Sequence, residues 1–173
     1  MAFSRRKREL YISARDSTSL LIVDTHVKRI KEKVEIPEGT GPLALTPDEN
    51  KLYIANTFQD SITVLNLADR TSSIEFCGLG DKKPVFMKLT PERHELLILD
   101  DESHMLISYS TRVKRINSSI RVGKYPHALD LDKTGKIWVT NFGSHNISIV
   151  NPTRDLVGEI NTERNPGAIV FIP

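Results

Sequence analysis

Only one cysteine, Cys77, occurs among the 173 residues, which excludes an internal disulfide framework and the usual paired-cysteine zinc sites. No apolar run approaches the roughly 18 residues that a membrane-spanning helix requires. Neither sign of charge dominates, because 24 Lys and Arg stand against 22 Asp and Glu, so no strong field favours nucleic acid or a membrane surface. Gly-x-Ser-x-Gly, phosphate-loop and dinucleotide-binding motifs are also missing.

Helical periodicity is missing as well, and the apolar residues follow period two instead. Leu10, Ile12 and Ala14 alternate with polar or aromatic neighbours, as they do in a half-buried strand. Turn sequences such as Pro47-Asp48-Glu49-Asn50 separate these short segments. The pattern predicts an all-β protein with strands of about four to six residues.

One short strand motif recurs four times at nearly constant spacing. Its copies lie 42, 44 and 41 residues apart: Tyr11-Ile12-Ser13, Tyr53-Ile54-Ala55, Leu97-Ile98-Leu99 and Trp138-Val139-Thr140. A second motif, which begins as Ile22-Val23-Asp24, keeps the same three intervals, and four prolines from Pro42 to Pro166 follow more loosely. A period of about forty residues is typical of β-propeller blades.

The repeat predicts a β-propeller of four-stranded antiparallel blades, with four blades in this chain. Each repeat supplies strands A to D, and in the second they are expected near residues 43–45, 51–55, 61–66 and 72–77. Residues 1–8 are predicted to be a basic N-terminal tail and residues 9–173 the propeller. Within the propeller, the predicted repeats are 9–41, 42–83, 84–125 and 126–165, and a closing strand at 166–173 is expected to pair with the N-terminal blade.

The repeats also carry a family resemblance, in Pro42-Leu43-Ala44-Leu45-Thr46-Pro47-Asp48 and in the strands ending Ala55-Asn56 and Thr140-Asn141. These segments resemble the YVTN-repeat family of β-propellers, which implies the propeller fold but no single function, because that family includes surface-layer domains and relatives of lactonases. The segment from Pro126 to Trp138 is similar to blades of streptogramin lyase-like enzymes, which implies a hydrolase or lyase alternative.

Ring size, partners and compartment stay open at this point. Four repeats fit a closed four-bladed ring, half of an eight-bladed ring made by a homodimer, or part of a larger propeller. No nucleic-acid partner and no membrane span are expected. The chain as written shows no signal peptide after the basic residues Arg5 to Arg8, which predicts the cytoplasm, or export if a precursor segment has been removed.

Because strands alternate in direction, the B-to-C loops and the D-to-A connections emerge on one face, which is the candidate site. His127 is the clearest candidate, since the residues after the corresponding prolines are Leu43, Val85 and Gly167. We expect His127 to act as a general acid or base, with Asp100 or Asp101 as its carboxylate partner. The predicted binding residues of this face are Phe58, Asp60, Glu102, His104, Phe142 and His145.

No metal and no cofactor are predicted, because neighbouring acids such as Asp100 to Glu102 ordinarily form solvated turns. Two functions remain. The first is a binding or scaffolding propeller that recognises a protein, peptide or glycan through the loop face, since no complete catalytic set converges in the sequence. The second is a lactonase-like or streptogramin lyase-like enzyme with its site at the mouth of the central channel, so enzymatic activity itself stays undecided.

Overall fold

A computed structural model of the chain describes residues 1–14, 17–59, 61–76, 83–90 and 94–172. These residues form sixteen strands and no helix. None of the described segments is therefore a helix long and apolar enough to cross a membrane. The all-β prediction is confirmed.

The strands form four antiparallel sheets of four consecutive strands each, which we number blades 1 to 4. Blade 1 contains β1 (Ala2–Ser4), β2 (Glu9–Ile12), β3 (Ser19–Asp24) and β4 (Arg29–Glu35). Blade 2 contains β5 (Thr40–Leu45), β6 (Lys51–Asn56), β7 (Ser61–Asn66) and β8 (Ser72–Phe76). Blade 3 contains β9 (Pro84–Thr90), β10 (Glu95–Asp100), β11 (Met105–Ser110) and β12 (Arg115–Arg121). Blade 4 contains β13 (Pro126–Leu131), β14 (Ile137–Asn141), β15 (Asn146–Val150) and β16 (Leu156–Asn161).

The chain divides into two compact units, each with its own apolar core. The N-terminal unit holds Met1–Asp81 and Leu89–Glu95, and the C-terminal unit holds Lys82–Lys88 and Leu96–Pro173. In the N-terminal unit, Tyr11, Leu20 and Ile22 of blade 1 pack against Leu52, Ile54 and Leu65 of blade 2. In the C-terminal unit, blade 3 supplies Leu97, Leu99, Leu106 and Val122, and blade 4 supplies Leu129, Ile137, Val139 and Val150. Burial of these side chains is the main source of stability in both units.

The N-terminal residues form a strand where the sequence predicted a tail. Ala2, Phe3 and Ser4 pair with Tyr11, Leu10 and Glu9, so β1 occupies the edge of blade 1 that was predicted for the C-terminal strand. Residues 166–172 lie outside any strand. The predicted closure by strand 166–173 is therefore not confirmed. The turn after β1 is fixed by the Glu49 carboxylate, which accepts hydrogen bonds from the Ser4 hydroxyl and the Arg5 and Arg6 amides.

Strand register also corrects one equivalence between the blades. Thr40 lies opposite Asn56 in blade 2, as Pro126 lies opposite Asn141 in blade 4, and a bulge follows each pair. Counted from these pairs, the counterpart of His127 in blade 2 is Gly41, two residues before the position that the proline spacing indicated. Both blades carry this bulge, so the offset arises because the two prolines are not equivalent: Pro126 lies opposite Asn141, whereas Pro42 follows two residues after Thr40, which lies opposite Asn56.

A buried ionic cluster joins blades 1 and 2. Glu9 is 2% exposed, and its carboxylate accepts hydrogen bonds from Lys31 Nζ at 2.7 Å, Arg70 Nη2 at 3.0 Å and the Tyr11 hydroxyl at 2.6 Å. Arg70 Nε also lies 3.1 Å from Glu32. Burial disfavours the Glu9 anion, but the hydrogen bonds from Lys31, Tyr11 and Arg70 outweigh it and lower the pKa of Glu9. Burial and the bond to Glu9 raise the pKa of Tyr11.

A second carboxylate organises the turn between β13 and β14. Burial opposes ionisation of Asp132, but hydrogen bonds from the Thr134 hydroxyl, Trp138 Nε1 and the Lys136 and Thr134 amides lower its pKa to about 2. Because this value lies below the ordinary aspartate pKa of about 3.9, the ionised Asp132 stabilises the folded state above that pH. The contribution is lost as the pH falls through the window from about 4 to about 2.

The replacement Asp132→Asn tests this contribution. At neutral pH we expect the free energy of unfolding to fall by about 1 kcal/mol, because hydrogen bonds to a charged acceptor become bonds to a neutral one. The difference should shrink as the pH falls from about 4 towards 2. Thermal unfolding followed by circular dichroism between pH 2 and pH 7 measures the difference, and a difference that does not change with pH would contradict the assignment.

Candidate functional site

The candidate site lies on the loop edge of the C-terminal unit, where residues 122–125 run beside the turn 142–145. The Phe142 amide donates to the Tyr125 carbonyl and the Gly143 amide to the Lys124 carbonyl, each at 2.9 Å. The Lys124 amide in turn donates to the Ser144 hydroxyl at 2.9 Å. These bonds hold the start of β13 against the turn that follows β14.

This pairing brings two of the predicted site residues together. His127, exposed on the second residue of β13, lies with its ring centroid 6.2 Å from that of Phe142 at an interplanar angle of 46°. Phe142 is 45% exposed, so it presents an apolar surface beside the imidazole. The His127 imidazole, which can transfer protons, therefore lies next to an apolar surface that can contact an apolar part of a ligand.

Tyr125 belongs to the same edge and was missing from the predicted site residues. Its ring is 55% exposed and meets His104 edge to face, with the ring centroids 5.2 Å apart. A Cβ on Gly143 would come within 2.3 Å of the Tyr125 ring, so the absence of a side chain there makes room for the ring. Tyr125 has a φ of 49°, which is rare for an aromatic residue. No sequence pattern predicts this backbone conformation.

His104 and His145 occupy the same place in blades 3 and 4, and each holds the connection that follows its blade. The Asn165 amide donates to His145 Nδ1 at 3.2 Å. The Tyr125 amide lies 3.3 Å from His104 Nδ1, which is also 2.7 Å from the Asp101 carbonyl oxygen. When His104 Nδ1 carries a proton, it donates to the Asp101 carbonyl. When it carries none, it accepts from the Tyr125 amide. The structure therefore gives both histidines positioning contacts.

The predicted acidic partners have different surroundings. Asp100 is fully buried, and its carboxylate accepts bonds from the Lys83 amide at 3.0 Å, the Glu102 amide at 3.2 Å and the Ser103 hydroxyl. Asp100 thereby shapes the turn between β10 and β11. Glu102 is exposed and forms an ion pair with Lys83 at 3.2 Å. The catalytic roles of Asp100 and Asp101 stay predictions.

The two remaining predicted residues belong to the N-terminal unit. Phe58 is 64% exposed and lies over Gly39, where a Cβ would be 2.4 Å from Phe58 Cγ. Gly39 has a φ of +81°, so a side chain there would be strained for two reasons. Asp60 lies outside the described residues. The binding roles of both residues remain predictions.

A protein metal site requires several ligand side chains that converge on one point. Among the residues that the structure describes, no three His, Cys, Asp or Glu side chains converge as metal ligands.

Comparison with family models gives one match over nearly the whole chain. A model described as the SMP-30/gluconolactonase/LRE-like region matches residues 10–172. A search of curated proteins finds no match. The predicted resemblance is thus confirmed as far as a β-propeller family, but not as the YVTN-repeat family.

Solved structures with the same fold include a hydrazine synthase and two lyases. Hydrazine synthase from Kuenenia stuttgartiensis is 19% identical, with a TM-score of 0.77 over 91% of this chain and 47% of the other. Virginiamycin B lyase from Staphylococcus aureus is 13% identical, with a TM-score of 0.75 over 90% and 52%. A streptogramin B lyase is 11% identical, with a TM-score of 0.78 over 94% and 53%.

At these identities the likeness establishes the fold, which is the predicted β-propeller. The chain spans about half the length of the solved structures that it matches. The binding or scaffolding interpretation is not confirmed by these comparisons, and the family match favours the alternative of an enzyme.

Proposed function

Because the chain belongs to the SMP-30/gluconolactonase/LRE-like family, we propose that it carries the catalytic edge of an enzyme that opens cyclic esters. The observation that carries the proposal is the exposed His127 imidazole at the start of β13, held beside the exposed ring of Phe142. Hydrolysis of the ester and its elimination both require a positioned base, and imidazole accepts and returns protons near neutral pH.

The surroundings of His127 favour a ligand with both an apolar part and a polar, electron-rich part. Phe142 and Tyr125 offer exposed aromatic surface on the same loop edge. Lys124 and Arg164 lie in the connections that follow blades 3 and 4, and both residues are basic. An ester carbonyl gains negative charge as its bond breaks, so nearby cations favour the transition state.

Two ring-opening reactions fit this arrangement. In hydrolysis, His127 takes a proton from water while the water oxygen adds to the ester carbonyl carbon. The ring C–O bond then breaks, and the proton passes to the departing alkoxide. In elimination, His127 takes a proton from the carbon next to the one that bears the ester oxygen. The C–H electron pair becomes a C=C bond, and the C–O bond breaks to leave a carboxylate.

The proposal is tested by incubating the full chain with a panel of γ- and δ-lactones and cyclic depsipeptides and measuring the product masses. Hydrolysis adds the mass of one water to the substrate, whereas elimination opens the ring with no change in mass. Catalysed opening of at least one ring by either route supports the proposal. Failure to open any ring above the rate in buffer would overturn it.

A further inference from the structure

Burial differs sharply between the blades at equivalent positions. One face of each sheet is defined by four positions of the second and third strands, which repeat at the chain's intervals of 42, 44 and 41 residues. In blades 2, 3 and 4 all twelve of these residues are 0% exposed: Leu52, Ile54, Thr63, Leu65, Leu96, Ile98, Ile107, Tyr109, Ile137, Val139, Ser148 and Val150. This face is therefore a packing surface wherever another sheet covers it.

In blade 1 the same face is open. Leu10, Ile12, Leu21 and Val23 are only partly buried at these positions. Strand pairing extends Leu10 and Val23 into an apolar row across all four strands, because Phe3 lies opposite Leu10 and Ile30 lies opposite Val23. Phe3 and Ile30 are 49% and 55% exposed. One row of the open face of blade 1 is thus apolar from edge to edge, while Lys33 lies opposite Leu21 in the neighbouring row.

Blade 4 has the complementary open face. Its Trp138, Ile147 and Ile149 are partly exposed. Their counterparts are buried in the other three blades: Tyr11, Leu20, Ile22, Tyr53, Ile62, Val64, Leu97, Leu106 and Ser108.

Residues 166–172 lie across the inner part of this face. The Thr140 hydroxyl donates to the Gly167 carbonyl at 2.6 Å, and the Phe171 ring meets Trp138 at 5.6 Å. The Phe171 amide also donates to the Asp130 carboxylate at 2.7 Å. Val170 and Ile172 remain 74% and 84% exposed, so the segment adds apolar surface to the open face of blade 4.

We infer that a second copy of this chain covers these faces, with blade 1 of each copy packed on blade 4 of the other. The contact repeats the packing seen inside each unit, where the Tyr11 face of blade 1 meets the Leu52 face of blade 2, and the Leu97 face of blade 3 meets the Ile137 face of blade 4. The open face of blade 4 is equivalent to the Tyr11 and Leu97 faces. The open face of blade 1 is equivalent to the Leu52 and Ile137 faces. Each copy therefore offers both halves of a contact that this sequence already makes.

A contact between blade 1 of one copy and blade 4 of the other covers both kinds of open face, which a contact of one face with itself does not. Burial of a contiguous apolar face on each copy supplies the driving force.

Sedimentation equilibrium over a concentration series tests the inference. We expect twice the chain mass of 19.5 kDa. Val23→Asp in blade 1 and Ile149→Asp in blade 4 should each weaken the dimer by at least about thirtyfold, because each places a carboxylate in both contacts. Val27→Asp, in an exposed turn of blade 1, is the matched control and should remain dimeric. Circular dichroism establishes that each variant keeps its β structure.

Mixing the two variants distinguishes blade 1 on blade 4 from other pairings. The Val23→Asp chain keeps an intact blade 4, and the Ile149→Asp chain keeps an intact blade 1, so one good contact forms and mixed dimers should reappear. A monomeric wild-type chain at every concentration would overturn the inference. So would an Ile149→Asp chain that dimerises as tightly as the wild type, or an open series of larger species.

Discussion

Replacing His127 by alanine lowers kcat/KM for ring opening by about two to four orders of magnitude, which is the range for loss of a positioned acid or base. The physical reason is that no other imidazole replaces it at the start of β13, since His104 and His145 use Nδ1 to hold the backbone. Stability should change little, because the His127 side chain is exposed. Initial rates with the best substrate of the lactone panel measure the loss.

His26→Ala is the matched control, because His26 is an exposed histidine in a turn of blade 1. It should retain the full rate. A second variant, Phe142→Ala, should raise KM more than it lowers kcat, since it removes an apolar wall and leaves the imidazole in place. Equal rates for His127→Ala and the wild type would remove His127 from the reaction.

Replacing Arg70 by alanine has the largest expected effect on stability. The change leaves the buried Glu9 carboxylate with Lys31 and Tyr11 but without its guanidinium, in a site that is 2% exposed. Removing one partner of a buried ion pair costs about 3 to 5 kcal/mol, and we expect about 3 because Lys31 remains. Urea unfolding followed by circular dichroism measures the loss in the free energy of unfolding.

Arg154 is the matched control in the C-terminal unit. Its φ of 73° is close to the 63° of Arg70, but its Nε donates to the neutral Ser108 hydroxyl. Arg154→Ala should therefore cost about 1 kcal/mol. The double replacement Glu9→Leu with Arg70→Met should cost less than Arg70→Ala, because it removes both buried charges. Similar losses for the two arginine variants would show that the charge of Glu9 plays no part.

The sequence predicted the second and third strands of every blade, because apolar alternation is a local property. The strand Lys51–Asn56 was expected at residues 51–55, and Ser61–Asn66 at the same bounds. The first strands were harder, since a bulge shifts their register after Thr40 and Pro126. β1 was missed because Ala2 to Ser4 are too few to show a pattern, and the strand is fixed by Glu49, which lies 45 residues away from Ser4.

The candidate site was predictable in part, because differences between equivalent positions of the repeats can be read from the sequence. His127 stands out because the other repeats carry no imidazole at that point, a difference visible in the sequence. The role of Asp100 was not visible, because its burial and its bonds to Lys83 and Ser103 depend on the folded turn. Tyr125 was missed because exposure of its ring is set by Gly143, which becomes its neighbour only when two loops pair.

The location of the ligand is the central claim, and nuclear magnetic resonance of the histidine rings tests it most directly. Titrating the chain with a lactone that it opens slowly should shift the His127 ring signals and the Phe142 ring protons together, while those of His26 stay in place. We expect this pattern because the ligand binds at the loop edge of the C-terminal unit. Shifts confined to other residues, with His127 and Phe142 unmoved at saturation, would contradict it.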